Sequence, residues 1–213
     1  MISNWNELPI GIYQQIYDIN NLHCSDDEKD FRSTALLAGM DYNDFLNLRL
    51  EDVRKLSSSA AFIYTEPKRK KVKREYHIGN SDYRLMRDVN EMTTAQYIDF
   101  QTLIGEQDWY YYRLPELMAI VLIPKGCEYN EGYNHNDTVE EIREYFNVED
   151  ALSVADFFCK QFEKCIRRLL NFSVFQIKCL KIQNRKNKEL VEALQAAETA
   201  LTLARDETHS IFG

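Results

Sequence analysis

The chain has 213 residues, 45% of them apolar and 28% charged, which is enough for one domain with a sizeable core or one domain plus an appendage. With only 7 Gly and 4 Pro it does not read as a loop-rich or disordered chain. The net charge of −8 argues against general nucleic-acid binding, which needs a basic surface, so nucleic acid is an unlooked-for partner outside one local run.

Five cysteines (Cys24, Cys127, Cys159, Cys165 and Cys179) make an odd count with no CxxC spacing. A disulfide framework and a structural zinc site are therefore not expected, and reduced thiols in a cytosolic setting are. The first residues, Met1 to Glu7, carry neither a basic nor an apolar leader region, so no signal peptide is read there. The longest apolar run, Leu117 to Ile123, is far shorter than the ~20 residues needed to cross a bilayer.

In chain order, Trp5 to Gly11 form a lead-in, with Pro9 suited to a helix start. The helix that follows places Ile12, Ile16 and Ile19 on one side, with Tyr13 and Tyr17 beside them. Ser25 caps the next helix, the acids Asp26, Asp27 and Glu28 suit its positive end, and Gly39 stops it. Its expected apolar face is Phe31, Ala35, Leu36 and Ala38. Asp41 to Leu56 reads as two short helical pieces, and Ser57 to Ser59 as a loop or one more turn.

Pro67 ends that region, and Lys68 to Arg74 holds six basic residues in seven. Glu75 to Ile78 and Tyr83 to Met86 alternate as strands around the turn Gly79-Asn80-Ser81-Asp82, a β-hairpin for which Phe62-Ile63-Tyr64 is the candidate third strand. A central helix opens at Thr93 or Thr94 and runs to Ile104, with Tyr97, Phe100 and Ile104 on one face and Ile98 beside them. Leu114 to Leu122 is nearly all apolar and predicts a buried helix, stopped by Pro124-Lys125-Gly126. Another helix starts at Asn136-Asp137-Thr138, with Val139, Ile142 and Phe146 inward. A long helix covers Val148 to about Ile182, its face formed by Leu152, Ala155, Phe158, Phe162, Cys165, Ile166, Leu169 and Phe172. Beyond Asn184 to Lys188, the residues Leu190, Leu194, Ala197, Leu201 and Ala204 recur at steps of four and three, a short coiled-coil-like seam suited to docking on another surface.

The fold class expected is thus mainly α with one small β-hairpin, a helical domain ending in a long C-terminal helix. Its organisation runs as a helical segment over 1–61, the basic hairpin over 62–90, a helical core over 91–182 and a helical extension over 183–213.

Candidate chemistry is sparse. His23-Cys24 with His77 or His135 could ligate a metal, but none of the four histidines is spaced as a ligand pair on one helix, so no metal and no cofactor is expected. No cysteine sits in a recognisable nucleophile elbow. Asp99, Asp108, Glu116 and Glu131 could supply paired carboxylates, though solvated surface acids are the commoner reading in an acidic chain. The basic residues Lys68, Arg69, Lys70, Lys71, Lys73 and Arg74 offer a contact for nucleic acid or an acidic partner; the preferred reading is a solvated edge strand guarded by lysines. Tyr110 and Tyr111 lie in an aromatic stretch, Trp109 to Tyr112, which with Tyr129 and Tyr133 reads either as a contact surface or as packing beneath loops. Leu190, Leu194, Ala197 and Leu201 complete the candidate partner-binding set.

The order of these features resembles a known family. A start with Trp5, Glu7, Leu8 and Pro9 leads to DYNDFLNLRLEDVRKL, then a basic hairpin, MTTAQYIDFQ, and LPELMAIVLIPKG followed by YNEGY. This arrangement, over about residues 5–175, resembles tail assembly chaperones of tailed bacteriophages, particularly those of phages and prophages of Bacteroidetes. The resemblance implies a non-enzymatic assembly factor in the host cytoplasm. Such a factor coats the tape-measure protein, keeps it soluble and recruits tail-tube subunits; a homo-oligomer and no membrane contact are the chain's other partner expectations. Two other readings remain. One is a structural virion protein, a connector or internal cargo protein retained in the particle. The other is a DNA-packaging or replication accessory factor that uses the run 68–74.

Overall fold

A computed structural model of the chain describes residues 1–104, 112–183 and 188–212. It is mainly helical with one small antiparallel sheet, and it divides into two units, 1–155 and 156–213.

In the first unit, α1 (Ile10–Asn20), α2 (Asp26–Ala38), α3 (Tyr42–Leu46) and α4 (Leu50–Ala60) come first, and α4 runs into a 3-10 turn at Ala61–Tyr64. The caps of α2 are those of the sequence, and α3 has one that the sequence reading did not name. Ser25 Oγ accepts from the Glu28 N–H at 3.3 Å, and Asp41 accepts from Asn43 at 2.8 Å. Gly39, at φ +68°, closes α2 in the left-handed conformation that glycine adopts without strain. Pro9 is the extended residue before α1 rather than its first turn. The serines 57–59 are helical, carried inside α4.

The buried face of α2 is turned from the expected one. Ser33, Thr34, Ala35 and Leu37 are buried, while Phe31 is 37% exposed. This helix packs between α1 and α4, and small side chains on the inner face let the backbones approach.

The sheet joins β1 (Glu75–Ile78), β2 (Ser81–Leu85) and β3 (Leu122–Pro124) in the order β1-β2-β3. Tyr76 faces Tyr83, and Leu85 faces Leu122. The period of two places Tyr76, Ile78, Tyr83 and Leu85 inward and Glu75, His77, Asp82 and Arg84 outward. The third strand is therefore not Phe62-Ile63-Tyr64. Those residues form the 3-10 turn, where Phe62 packs its ring edge on Trp5 at 5.4 Å and the Tyr64 hydroxyl donates to Asp30. The hairpin turn is anchored from outside by Glu141. One of its carboxylate oxygens accepts from the Asn80 N–H at 3.0 Å, the other from the Tyr83 hydroxyl at 2.6 Å. Gly79 (φ +57°) lies so close that a Cβ would stand 2.6 Å from that carboxylate.

α5 (Thr94–Ile104) begins at a capping box. Thr93 Oγ1 accepts from the Gln96 N–H, and Gln96 Oε1 accepts from the Thr93 N–H. The buried Gln96 also donates through Nε2 to the Ile120 carbonyl at 3.1 Å, filling an acceptor that the end of α6 leaves open. Phe100 and Ile104 of the expected face are buried, with Leu103, while Ile98 beside it is 54% exposed.

α6 (Leu114–Val121) is shorter than its apolar run, because Leu122 already belongs to β3. All of α6 except Glu116 is buried, and it forms the centre of this unit's core. α7 (His135–Tyr145) is capped by Asn134 and buries Val139 and Ile142, with Phe146 just beyond it. The lead-in then meets the start of the next helix: the Ile10 N–H donates to the Phe146 carbonyl, and the Val148 N–H to that of Leu8.

α8 (Val148–Gln183) starts in the first unit and continues into the second, 36 residues in all. In the second unit Phe158 and Phe162 are buried, and α9 (Lys188–Phe212) follows. Polar pairs link the two helices there. Lys181 Nζ lies 2.9 Å from Glu198, Lys178 Nζ lies 3.7 Å from the same carboxylate, and Lys181 also donates to Gln195. No described helix is long and apolar enough to cross a membrane.

Candidate functional site

A cleft of about 630 Å³ opens in the first unit where α5, α6, the loop at Tyr129 and α7 converge. That size suits a small ligand or an inserted side chain. Its apolar lining is Leu103, Ile120 and Val139, one residue from each helix. Its polar lining includes Asp99, Glu116, Tyr129, His135, Glu140 and Arg143.

The chain builds this cleft from ordinary local chemistry. Asn130 adopts φ +59°, a left-handed conformation that asparagine tolerates, and so turns the loop back. The Tyr129 hydroxyl donates to Asp99 Oδ2 at 2.8 Å, and its ring meets His135 edge-on at 5.9 Å. Burial and the neighbouring Asp99 carboxylate push the Tyr129 hydroxyl well above the usual phenol range. Burial pulls His135 below the usual imidazole value, so the ring is neutral at pH 7. Arg113 pairs with Glu116 Oε1 at 3.3 Å, and Arg143 Nη1 grips both Glu140 oxygens at 2.7 and 3.0 Å.

Among the described residues, the buried atoms Glu116 Oε2, His135 Nδ1 and Arg143 Nε have no hydrogen-bond partner, and all three residues line this cleft. Buried polar atoms are usually satisfied, so three in one cleft mark a place able to receive a polar group.

The sequence candidates fall elsewhere for the most part. The basic run is not an edge strand: residues 66–73 are irregular, and β1 begins at Glu75. The start of α8 holds part of it. Lys70 pairs with Glu149, Lys73 lies 3.1 Å from Asp150, and the Lys70 N–H donates to Ser153 Oγ at 2.9 Å. Both acids are buried in the first turn, where the helix dipole favours negative charge. Arg69 donates to the Pro67 carbonyl, while Lys68, Lys71 and Arg74 are exposed. With Lys70 and Lys73 given to carboxylates, the run offers fewer charges to a phosphate backbone than its composition suggests.

Tyr110 and Tyr111, with Trp109 and Asp108, lie outside the described residues. Tyr112 is exposed and packs edge-on against Tyr17 at 5.2 Å. On α9, Leu194 and Leu201 are half-buried, Ala197 is exposed and Leu190 is 39% exposed, so the seam does not present one uniform face. His23 is exposed, His77 pairs with Asp82 on the hairpin at 3.0 Å, and His135 lines the cleft. No group of three or more potential ligands able to hold a metal is present among the described residues. Burial pushes the Cys159 thiol up to about 12, a structural rather than a reactive cysteine.

Asp99, Glu116 and His135 stood among the sequence candidates, the two acids as members of a paired-carboxylate set and the histidine as a metal ligand. Arg113, Glu140 and Arg143 did not stand there at all, and only their acid–base spacing of three (Arg113 with Glu116, Glu140 with Arg143) hinted at paired charges. No protein-family model, curated protein or solved structure matches the chain.

Proposed function

We propose that this protein is a non-enzymatic assembly factor that works by binding other proteins, of the tail assembly chaperone kind that serves the tape-measure and tail-tube proteins of a phage. The observation that carries the reading is α9. Every described side chain on it is half-buried or exposed, leucines included, with Leu190 39% and Leu203 59% exposed. A helix that keeps leucines at its surface while tied by polar pairs to its neighbour suits a helical partner laid alongside it. The acidic net charge suits a partner with basic segments.

Co-purification tests it. The tagged full chain is expressed with the neighbouring phage genes, and the retained proteins are identified by mass spectrometry. Recovery of a long helical tape-measure protein or a tail-tube subunit, lost when residues 184–213 are removed, is the expected result. Recovery of portal or capsid proteins instead, with the protein present in purified particles, replaces the chaperone reading with that of a virion component.

A further inference from the structure

The cleft between α5, α6 and α7 carries an inference beyond the assembly role, and it does not depend on which partner that role serves. Its lining holds three carboxylates, Asp99, Glu116 and Glu140, against two guanidinium groups, Arg113 and Arg143. The Arg143–Glu140 and Arg113–Glu116 pairs account for both cations. Among the described residues, Asp99 accepts from the Tyr129 hydroxyl on its Oδ2, and the buried Glu116 Oε2 has no donor. The uncharged His135 adds no compensating positive charge at pH 7. The cleft is thus acceptor-rich and one charge negative, over an apolar floor of Leu103, Ile120 and Val139.

We infer that this cleft receives a basic side chain, arginine or lysine, carried on a peptide segment of a partner protein. The alkyl stem of such a side chain lies against the apolar floor, as long cationic side chains do. Its charged head donates to Glu116 Oε2 and Asp99. The opposite need, an acceptor for Arg143 Nε, is met by a backbone carbonyl of the same peptide. A free inorganic cation supplies no such acceptor, and an anion meets the excess negative charge. A peptide carrying a basic residue offers donor and acceptor together.

The test uses the full-length protein and two short blocked peptides, Ala-Arg-Ala and the same peptide with citrulline, a neutral analogue of nearly the same shape. Titration is followed at low salt by calorimetry and by chemical shifts of the labelled protein. The arginine peptide is expected to saturate with a Kd of about 1 mM or better, and the citrulline peptide to bind at least about tenfold more weakly. Glu116→Gln is expected to lose about tenfold for the arginine peptide alone. Asp99→Asn, at an exposed position that folding tolerates, is expected to weaken it in the same direction. Glu51→Gln, on the exposed face of α4, leaves binding unchanged. Each variant is first required to keep the wild-type circular dichroism. Equal binding of the two peptides, no saturation by the arginine peptide, or binding indifferent to both Glu116→Gln and Asp99→Asn overturns the inference. A failed co-purification of phage proteins leaves these outcomes untouched.

Discussion

α6 and α9 answer the same problem, how to keep a helix with apolar side chains in place, in opposite ways. In α6 every residue but Glu116 is buried, and the carbonyl of Ile120 is satisfied by Gln96 from another element. In α9 no described side chain is fully buried, and polar pairs through Lys178, Lys181, Gln195 and Glu198 tie it to α8. Burial of apolar area persists at any ionic strength, whereas exposed ion pairs contribute little and weaken with salt. The two units therefore should differ in what destabilises them, and that difference can be measured.

The largest effect belongs to α6. Leu117→Ala, at a fully buried position, should cost about 3 kcal/mol in urea unfolding of the first unit, through lost transfer free energy and the cavity left behind. A loss below about 1 kcal/mol would show that α6 is not the centre of the core. Gln96→Ala comes next. It removes half of the capping box and leaves the buried Ile120 carbonyl without its donor, a loss of about 2 kcal/mol. Gln96→Glu separates the two roles, because it keeps the acceptor for the Thr93 N–H and cannot give a donor to Ile120.

The smallest effect belongs to α9. Glu198→Gln should leave the unfolding midpoint of the first unit in place and lower only the helical signal of the second, at low salt and not at high salt. Lys181 holds the Glu198 carboxyl below the usual range, so this contribution is present above the ordinary glutamate value. It is lost as pH falls through the lower, folded-state value, so acidification of the wild type to below the ordinary glutamate value should reproduce the variant. An equal response at high salt would mean that apolar packing, not charge, holds α9.

Local rules read much of this fold correctly. Ser25 and Gly39 act at the ends where their chemistry places them, and the helices from Thr94 and Val148 have the extents that periodicity suggests. The hairpin follows from alternation, but its turn is tighter than the expected Gly79–Asp82, because Ser81 and Asp82 already pair with β1. The third strand was not legible, because a continuous apolar run has no period. Leu114 to Ile123 reads equally as a buried helix or a buried strand, and it is one and then the other. The face of α2 was misread for a related reason: hydropathy favours Phe31, while close approach of three helices selects Ser33 and Thr34. The cleft was hardest to see. Its members are spread from Asp99 to Arg143 over three helices and a loop, and no spacing rule joins residues that meet only through the tertiary fold.

The pairing of β2 with β3 has a consequence in time. While the chain is being synthesised, β1 and β2 can pair as soon as they emerge, but the far edge of β2 waits for Leu122–Pro124, about 40 residues later, and at ribosomal rates that is a delay of about 2–8 seconds. The carboxylate of Glu141, which anchors the turn, arrives later still. During that interval the nascent hairpin shows an open edge, and open edges recruit strands from neighbouring chains. Asp82 and Arg84, which face outward from β2 itself, put charge on that strand and so discourage such pairing on a crowded polysome.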